Sequence, residues 1–208
     1  MNIEILLSFF IAAVALTFAP GPDIVYVLTQ SIANGKNSGI ATATGLVSGI
    51  IIHTSLVAFG VSVLIRENDT LFFVIKLFGA LYLFYIAYQV FKSPEQIALE
   101  NNQVPKKTGW QLVKQGFIMN VLNPKVTIFF LAFFPGFLFS TTLSKVTQFY
   151  ILGGIFMLQA FVIFCGVSFL AGTISKVLHK KNNIGFIFKW VQILVFIVIG
   201  FYILLSEK

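Results

Sequence analysis

A chain of 208 residues that is 58% hydrophobic and only 10% charged, with 25 phenylalanines, is too apolar for a water-soluble domain of its size. Its formal net charge of +7 does not point to nucleic acid, because the basic residues sit in short loops between apolar stretches and form no run interleaved with aromatics. The single cysteine, Cys165, rules out an intrachain disulfide and a two-thiol redox relay within one chain.

A bilayer core about 30 Å thick needs roughly 20 apolar residues per helix, and this length recurs along the chain. The first predicted helix covers Ile5 to Leu28. Its opening Met-Asn-Ile-Glu carries no Lys or Arg and the apolar run continues through Pro20 and Pro22, so it reads as a retained helix rather than a secretory signal. The turn formers from Ala33 to Gly39 separate it from a second helix, Ile40 to Ile65, and a third covers Thr70 to Phe91. The longest polar stretch, Lys92 to Thr108 with Pro94 and Pro105, reads as a linker. A fourth helix runs from Gly116 to Phe139 with an amphipathic lead-in around Trp110, then a fifth from Val146 to Ala171 and a sixth from Ile187 to Leu205.

Positive loops stay in the cytoplasm. Nine basic residues (Lys36, Lys92, Lys106, Lys107, Lys114, Lys176, Lys180, Lys181 and Lys189) fall on one side of the predicted spans, and Arg66, Lys145 and Lys208 on the other. Both termini are therefore expected outside, with Lys76 and Lys125 left within the membrane. The predicted fold is an all-α integral membrane protein of six transmembrane helices forming one domain over 1–208. Three helices in 1–91 precede a cytoplasmic linker, 92–109, and three in 110–208 come after it. The second set must enter the membrane from the opposite side, which is the arrangement of two inverted three-helix repeats.

Helices 1 and 4 are broken by proline. A proline in a helix removes an amide donor and pushes away the carbonyl four residues earlier, here those of Leu16 (Pro20), Phe18 (Pro22) and Asn120 (Pro124). In hydrocarbon each freed group costs several kcal/mol unless it meets protein, water or a ligand. Each break also reads as a new helix start, with Gly21 or Asn123 as the cap, Pro22 or Pro124 first and Asp23 or Lys125 second. Half-helix N-termini present unpaired amides and a positive dipole end, which suits an anion.

Asp23 has a plain explanation as an acid in a first helical turn, worth about 0.3 to 1 kcal/mol. Lys125 has none locally: a cation at the positive end of a helix is disfavoured, and burial in the bilayer adds to the cost. The two residues either neutralise each other as an ion pair or face each other across the repeat interface as a zwitterion site. In the second case Asp23 takes an ammonium while Lys125, helped by the amides after Asn123, takes a carboxylate. Burial penalises charge on both, so either is also a candidate carrier of a coupling proton. Gly21, Asn120 and Asn123 complete the predicted binding set. His53 and Gln159 either line the cavity or make helix-to-helix hydrogen bonds. Lys76, about two turns into helix 3, is expected to extend to the outer surface. The small face of Ala41, Gly45 and Gly49 reads as close packing within the protomer rather than a dimer seam, which leaves a homodimer open.

Three stretches, Ala19-Pro20-Gly21-Pro22-Asp23, the glycine-rich run from Gly39 to Gly49, and Asn120-Val121-Leu122-Asn123-Pro124-Lys125 after Gly109-Trp110, resemble the recurring motifs of the LysE/RhtB amino-acid exporters in order and spacing. The likeness spans essentially the whole chain. It implies export of an amino acid or close derivative across the bacterial inner membrane, driven by the proton-motive force, by a protein that is not an enzyme and carries no cofactor. The wider superfamily includes thiol carriers with a cysteine in each half, and Cys165 alone speaks against that branch. Another small solute such as a metal cation is the alternative cargo, though Asp23 and His53 form no acidic or Cys/His cluster. A membrane enzyme or accessory subunit is a further alternative, but there is no Ser/His/Asp set, His-Glu-x-x-His helix or phosphate loop.

Overall fold

A computed structural model describes residues 2–19, 21–61, 69–92, 104–180 and 183–205. Among these, all regular structure is helical. Helix α1 (Ile3–Phe18) is capped by Asn2, whose side chain accepts from the amides of Glu4 and Ile5 at 3.0 and 3.4 Å. Helix α2 (Pro22–Asn34) leaves it at a 56° bend. Helix α3 (Lys36–Leu56) runs into a π-helical turn, Val57–Val61. Helix α4 is Asp69–Lys92, and α5 (Gly109–Val121) meets α6 (Pro124–Phe133) at a 51° bend. A 3-10 turn, Phe134–Phe137, ends α6, and the chain continues through α7 (Lys145–Lys180) and α8 (Asn183–Leu205).

Several boundaries differ from the sequence reading for local reasons. The first bent pair continues six residues past Leu28, because Ser31 Oγ donates to the Val27 carbonyl at 2.7 Å and Asn34 Nδ2 to Gln30 Oε1 at 3.0 Å, so the polar residues are satisfied within the helix. Gly35 alone makes the turn. Its φ of +87° is the left-handed conformation glycine tolerates, and Asn37, Ser38 and Gly39 then lie in α3. Helix α5 starts at Gly109 rather than Gly116, behind a capping box in which Thr108 Oγ1 accepts from the Gln111 amide at 3.3 Å and Gln111 Oε1 from the Thr108 amide at 2.9 Å. Pro135 tightens the end of α6 into the 3-10 turn. Helix α7 continues nine residues beyond Ala171. Most of the predicted linker, 93–103, lies outside the described residues.

Glycines set the helix contacts. A Cβ on Gly45 would strike the Val113 carbonyl, one on Gly116 the Thr42 carbonyl, and one on Gly49 the Asn120 side chain. The small face of α3 is therefore packed within the chain, parallel against α5, with backbones in contact. Helices α3 and α7 run antiparallel, with Gly39 against Ser168 near one end and Ser55 Oγ 2.9 Å from the Tyr150 hydroxyl near the other. Helices α4 and α8 do likewise: Gly200 faces the Phe84 ring, and the Phe91 and Trp190 rings meet at 6.1 Å. Around α6, Phe129, Phe130, Phe133, Phe134 and Phe137 pack with Phe9 and Phe156 as the buried aromatic core. Lys76, expected to extend to the outer surface, is buried, at 7% exposure.

The stretch Lys36–Gly60 and the stretch Lys145–Ile174 are each long and apolar enough to cross a bilayer, and each bent pair qualifies when taken together. The outer faces of α4 and α8 carry Phe73, Phe78, Leu81, Leu194, Val198 and Phe201, all more than half exposed. Such a surface suits lipid and not water.

Candidate functional site

Both proline motifs build helix restarts. In the first, α1 stops at Phe18, Ala19 is extended, and α2 restarts with Pro22 at its first position and Gly21 as a cap that has no side chain to offer. The φ of Gly21, −158°, is one any residue adopts, so its role is spatial. Pro20 lies outside the described residues. In the second break α5 stops at Val121, Asn123 caps α6, and its Oδ1 accepts from the Lys125 amide at 3.0 Å. That amide, expected to help hold an anion, is therefore already taken by the cap.

The carbonyls opposite Pro20 and Pro124 are claimed by side chains from other helices. Leu16 O accepts from Lys125 Nζ at 3.3 Å, and Ala19 O accepts from the same ammonium at 3.1 Å. Asn120 O faces His53 Nε2 at 3.0 Å and also accepts from the Asn123 amide at 3.0 Å. A peptide carbonyl only accepts, so the geometry assigns the hydrogen to Nε2 of His53 and leaves Nδ1 buried without a partner.

Lys125 thus begins at the positive end of α6 but places its charge at the carbonyl, negative end of α1, where a cation is favoured. The Phe196 ring flanks the ammonium, its centroid 5.3 Å from Nζ. Asp23 Oδ2 accepts from Asn123 Nδ2 at 2.9 Å, while Oδ1 is buried and has no partner. Among the described residues the two charges make no direct ion pair; each is held by neutral groups. A Cβ on Gly21 would lie 3.3 Å from Lys125 Nζ, so the glycine leaves room for the ammonium.

Of these groups Leu16, Ala19, Gly21, Asp23 and Lys125 border one small, partly open cavity, lined also by Thr17, Asn120 and Phe156; Asn123 is not among its lining residues. The centres of water-sized molecules fit in a volume of ≈ 30 Å³. A water needs about 10–15 Å³ on that measure, so the space takes about two waters and not an amino acid.

His53 and Gln159 are not among the lining residues. Gln159 Nε2 donates to Thr17 Oγ1 at 2.9 Å, and His53 binds Asn120 O, so both tie a broken helix to its neighbour. The sequence reading passes over Thr17, Tyr26 and Thr54. The Tyr26 hydroxyl and Thr54 Oγ1 are buried and unpartnered, as are Asn120 Oδ1 and Gln159 Oε1. Thr and Tyr are common in apolar helices, where a hydroxyl can bond the preceding turn as Thr17 does to Ala13 O at 2.8 Å, so their pattern carries no signal. Among the described residues no three His, Cys, Asp or Glu side chains converge to hold a metal.

The profile of the LysE type translocators matches residues 14–207, a stretch that contains both breaks and every residue of the cavity. The chain belongs to this family. The translocator is 28% identical over 175 residues to a homoserine/homoserine lactone efflux protein of Salmonella typhimurium, covering 84% of each chain. It is 30% identical over 176 residues to a leucine efflux protein of Salmonella choleraesuis, covering 83% of this chain and 80% of that one. It is also 25% identical over 184 residues to an uncharacterized membrane protein of Vibrio cholerae, covering 88% of each. No solved structure matches it. Efflux proteins of this family are multi-pass transporters of the bacterial inner membrane, and the translocator is an exporter rather than an enzyme.

Proposed function

We propose that the translocator is a secondary active exporter of amino acids or their close derivatives, coupled to the proton-motive force, with its substrate held between the two broken helices. Asp23 receives the substrate's ammonium and Lys125 its carboxylate. The observation that carries this reading is that Asp23, with one unpartnered carboxylate oxygen, and the buried Lys125 ammonium line the same small cavity. A zwitterion is the ligand that satisfies one buried group of each sign without leaving net charge in the membrane.

In this reading the chain forms six spans in two inverted repeats, 1–91 and 110–208, joined by the cytoplasmic linker 92–109, with both termini outside. The Asn2 amide donates to the Phe139 carbonyl at 2.8 Å, which supports placing the start of α1 and the end of the second bent pair on one side. The excess of basic residues in the opposite loops supports assigning that side to the outside. The efflux of leucine and of homoserine named for its relatives makes these the first substrates to test.

The decisive experiment loads proteoliposomes with a panel of labelled amino acids, leucine and homoserine among them, and measures efflux with an imposed proton gradient. Efflux that the gradient accelerates and that Asp23→Asn and Lys125→Met each abolish, at unchanged membrane levels, is the expected result. Normal efflux in both variants overturns the site, and efflux indifferent to the gradient overturns the coupling.

A further inference from the structure

We infer that the carbonyl end of α1 is the ammonium subsite of this exporter, and that Lys125 is its resident occupant whenever no substrate is bound. The inference rests on the reading of the cavity as an amino-acid site and adds how the site is kept filled and emptied.

The subsite already holds the chemical group it is proposed to bind. Leu16 O and Ala19 O, at the negative end of α1, accept from a primary ammonium at 3.3 and 3.1 Å, with the Phe196 ring beside it. Asp23 lines the same cavity, and its Oδ1 is buried without a hydrogen-bond partner, a carboxylate oxygen left for a second ammonium once the site opens. Gly21 contributes the space, since a Cβ there would lie 3.3 Å from Nζ. A substrate's α-ammonium and the Lys125 ammonium are the same functional group, so they compete for the same two carbonyls. The ≈ 30 Å³ cavity is too small for an amino acid as it stands, and withdrawal of the Lys125 ammonium is one movement of its lining that enlarges it.

Charge balance governs the exchange. The empty site holds one anion, Asp23, and one cation, Lys125, and is neutral. A zwitterion keeps it neutral if its ammonium takes the α1 carbonyls and Asp23 while the displaced Lys125 moves to its carboxylate. When the substrate leaves, Lys125 returns to the carbonyls, so the empty carrier never exposes them unsatisfied to the membrane interior. An amine without a carboxylate cannot make this exchange, because displacing Lys125 would leave two cations against one anion.

Methylammonium, which has no carboxylate, is therefore the probe. Its binding to the purified full chain in lipid nanodiscs is measured by calorimetry for the wild type and Lys125→Met. Lys125→Gln is measured alongside, so that poor folding of one variant does not decide the outcome. Removing the resident cation should tighten methylammonium binding by roughly tenfold or more, and Asp23→Asn added to either variant should abolish the gain. Equal binding by the wild type and both variants overturns the inference, as does a gain that survives Asp23→Asn. Because this measurement involves no transport, it separates the two claims. Amino-acid efflux lost in Lys125→Met without a gain in methylammonium binding removes the resident-occupant inference and leaves the site reading intact. Normal efflux in both Lys125→Met and Asp23→Asn removes the site reading.

Discussion

His53 Nε2 lies 3.0 Å from the carbonyl oxygen of Asn120, the carbonyl that Pro124 strips of its helical partner. The bond crosses from α3 to the end of α5 and does for the second break what Lys125 does for the first.

Replacing His53 by Phe should remove that partner while keeping the ring's volume against Phe130, whose centroid is 5.6 Å away. Asn120 O retains the Asn123 amide, so the cost should fall near the lower end of the range for a buried hydrogen bond, about 1 kcal/mol. Thermal unfolding in detergent should show a midpoint a few degrees lower, and His53→Gln, which keeps a donor, should recover part of the loss. An unchanged midpoint for His53→Phe would show that the bond contributes nothing to stability.

Asn123 caps α6 with one side-chain atom and holds Asp23 with the other. Asn123→Ala should lose about 1 kcal/mol or more from the cap and release Asp23. Asn123→Asp retains the cap but sets a second buried carboxylate against Asp23, so it should be no more stable than Asn123→Ala and should export poorly. Efflux and unfolding measured together check this, and good export by Asn123→Asp would rule out a need for the Asn123 to Asp23 bond.

Gly21→Ala tests space without testing backbone conformation. The alanine adopts the observed φ freely, but its Cβ would press on the Lys125 ammonium at 3.3 Å. The protein should fold with a normal yield, and efflux should fall several-fold. Wild-type efflux from Gly21→Ala would mean that the ammonium does not need its present place.

Glycines at the α3 to α5 contact should behave differently. On Gly116 a new Cβ meets the Thr42 carbonyl, which is backbone and cannot turn aside, so Gly116→Ala should cost about 1–3 kcal/mol and lower the yield of monodisperse protein. Gly154, with nothing within 4 Å of its Cβ position, should accept alanine without loss and gain up to about 1 kcal/mol of helix propensity. Size-exclusion profiles of the two variants compare them directly, and equal profiles would contradict the close packing.

The two restarts are legible in the sequence residue for residue, because the features that make them are local. Proline lacks an amide wherever it stands, Asn123 caps the helix after it, and an acid in a first turn needs no distant partner. Gly35 is visible only as part of a longer run of turn formers, since nothing local tells that one positive φ suffices, and a start of α3 inferred from that run falls several residues too late. The spacing of Gly45 and Gly49 implies packing within the chain, while the helix they face is a matter of long-range contact that spacing does not encode.

Composition and proline chemistry by themselves determined that this is a helical membrane protein with two matched breaks, since hydrophobic length and a missing donor are properties of the chain. Only the tertiary structure decided which groups meet at the breaks. Lys125 stands at the wrong end of its own helix, and packing brings its ammonium to the end of α1, 106 residues from Ala19 in sequence, where bare carbonyls accept it. Asp23, its natural partner by charge, is instead held by Asn123, because a long flexible ammonium reaches the negative end of a neighbouring helix while a short carboxylate binds the amide that lies beside it.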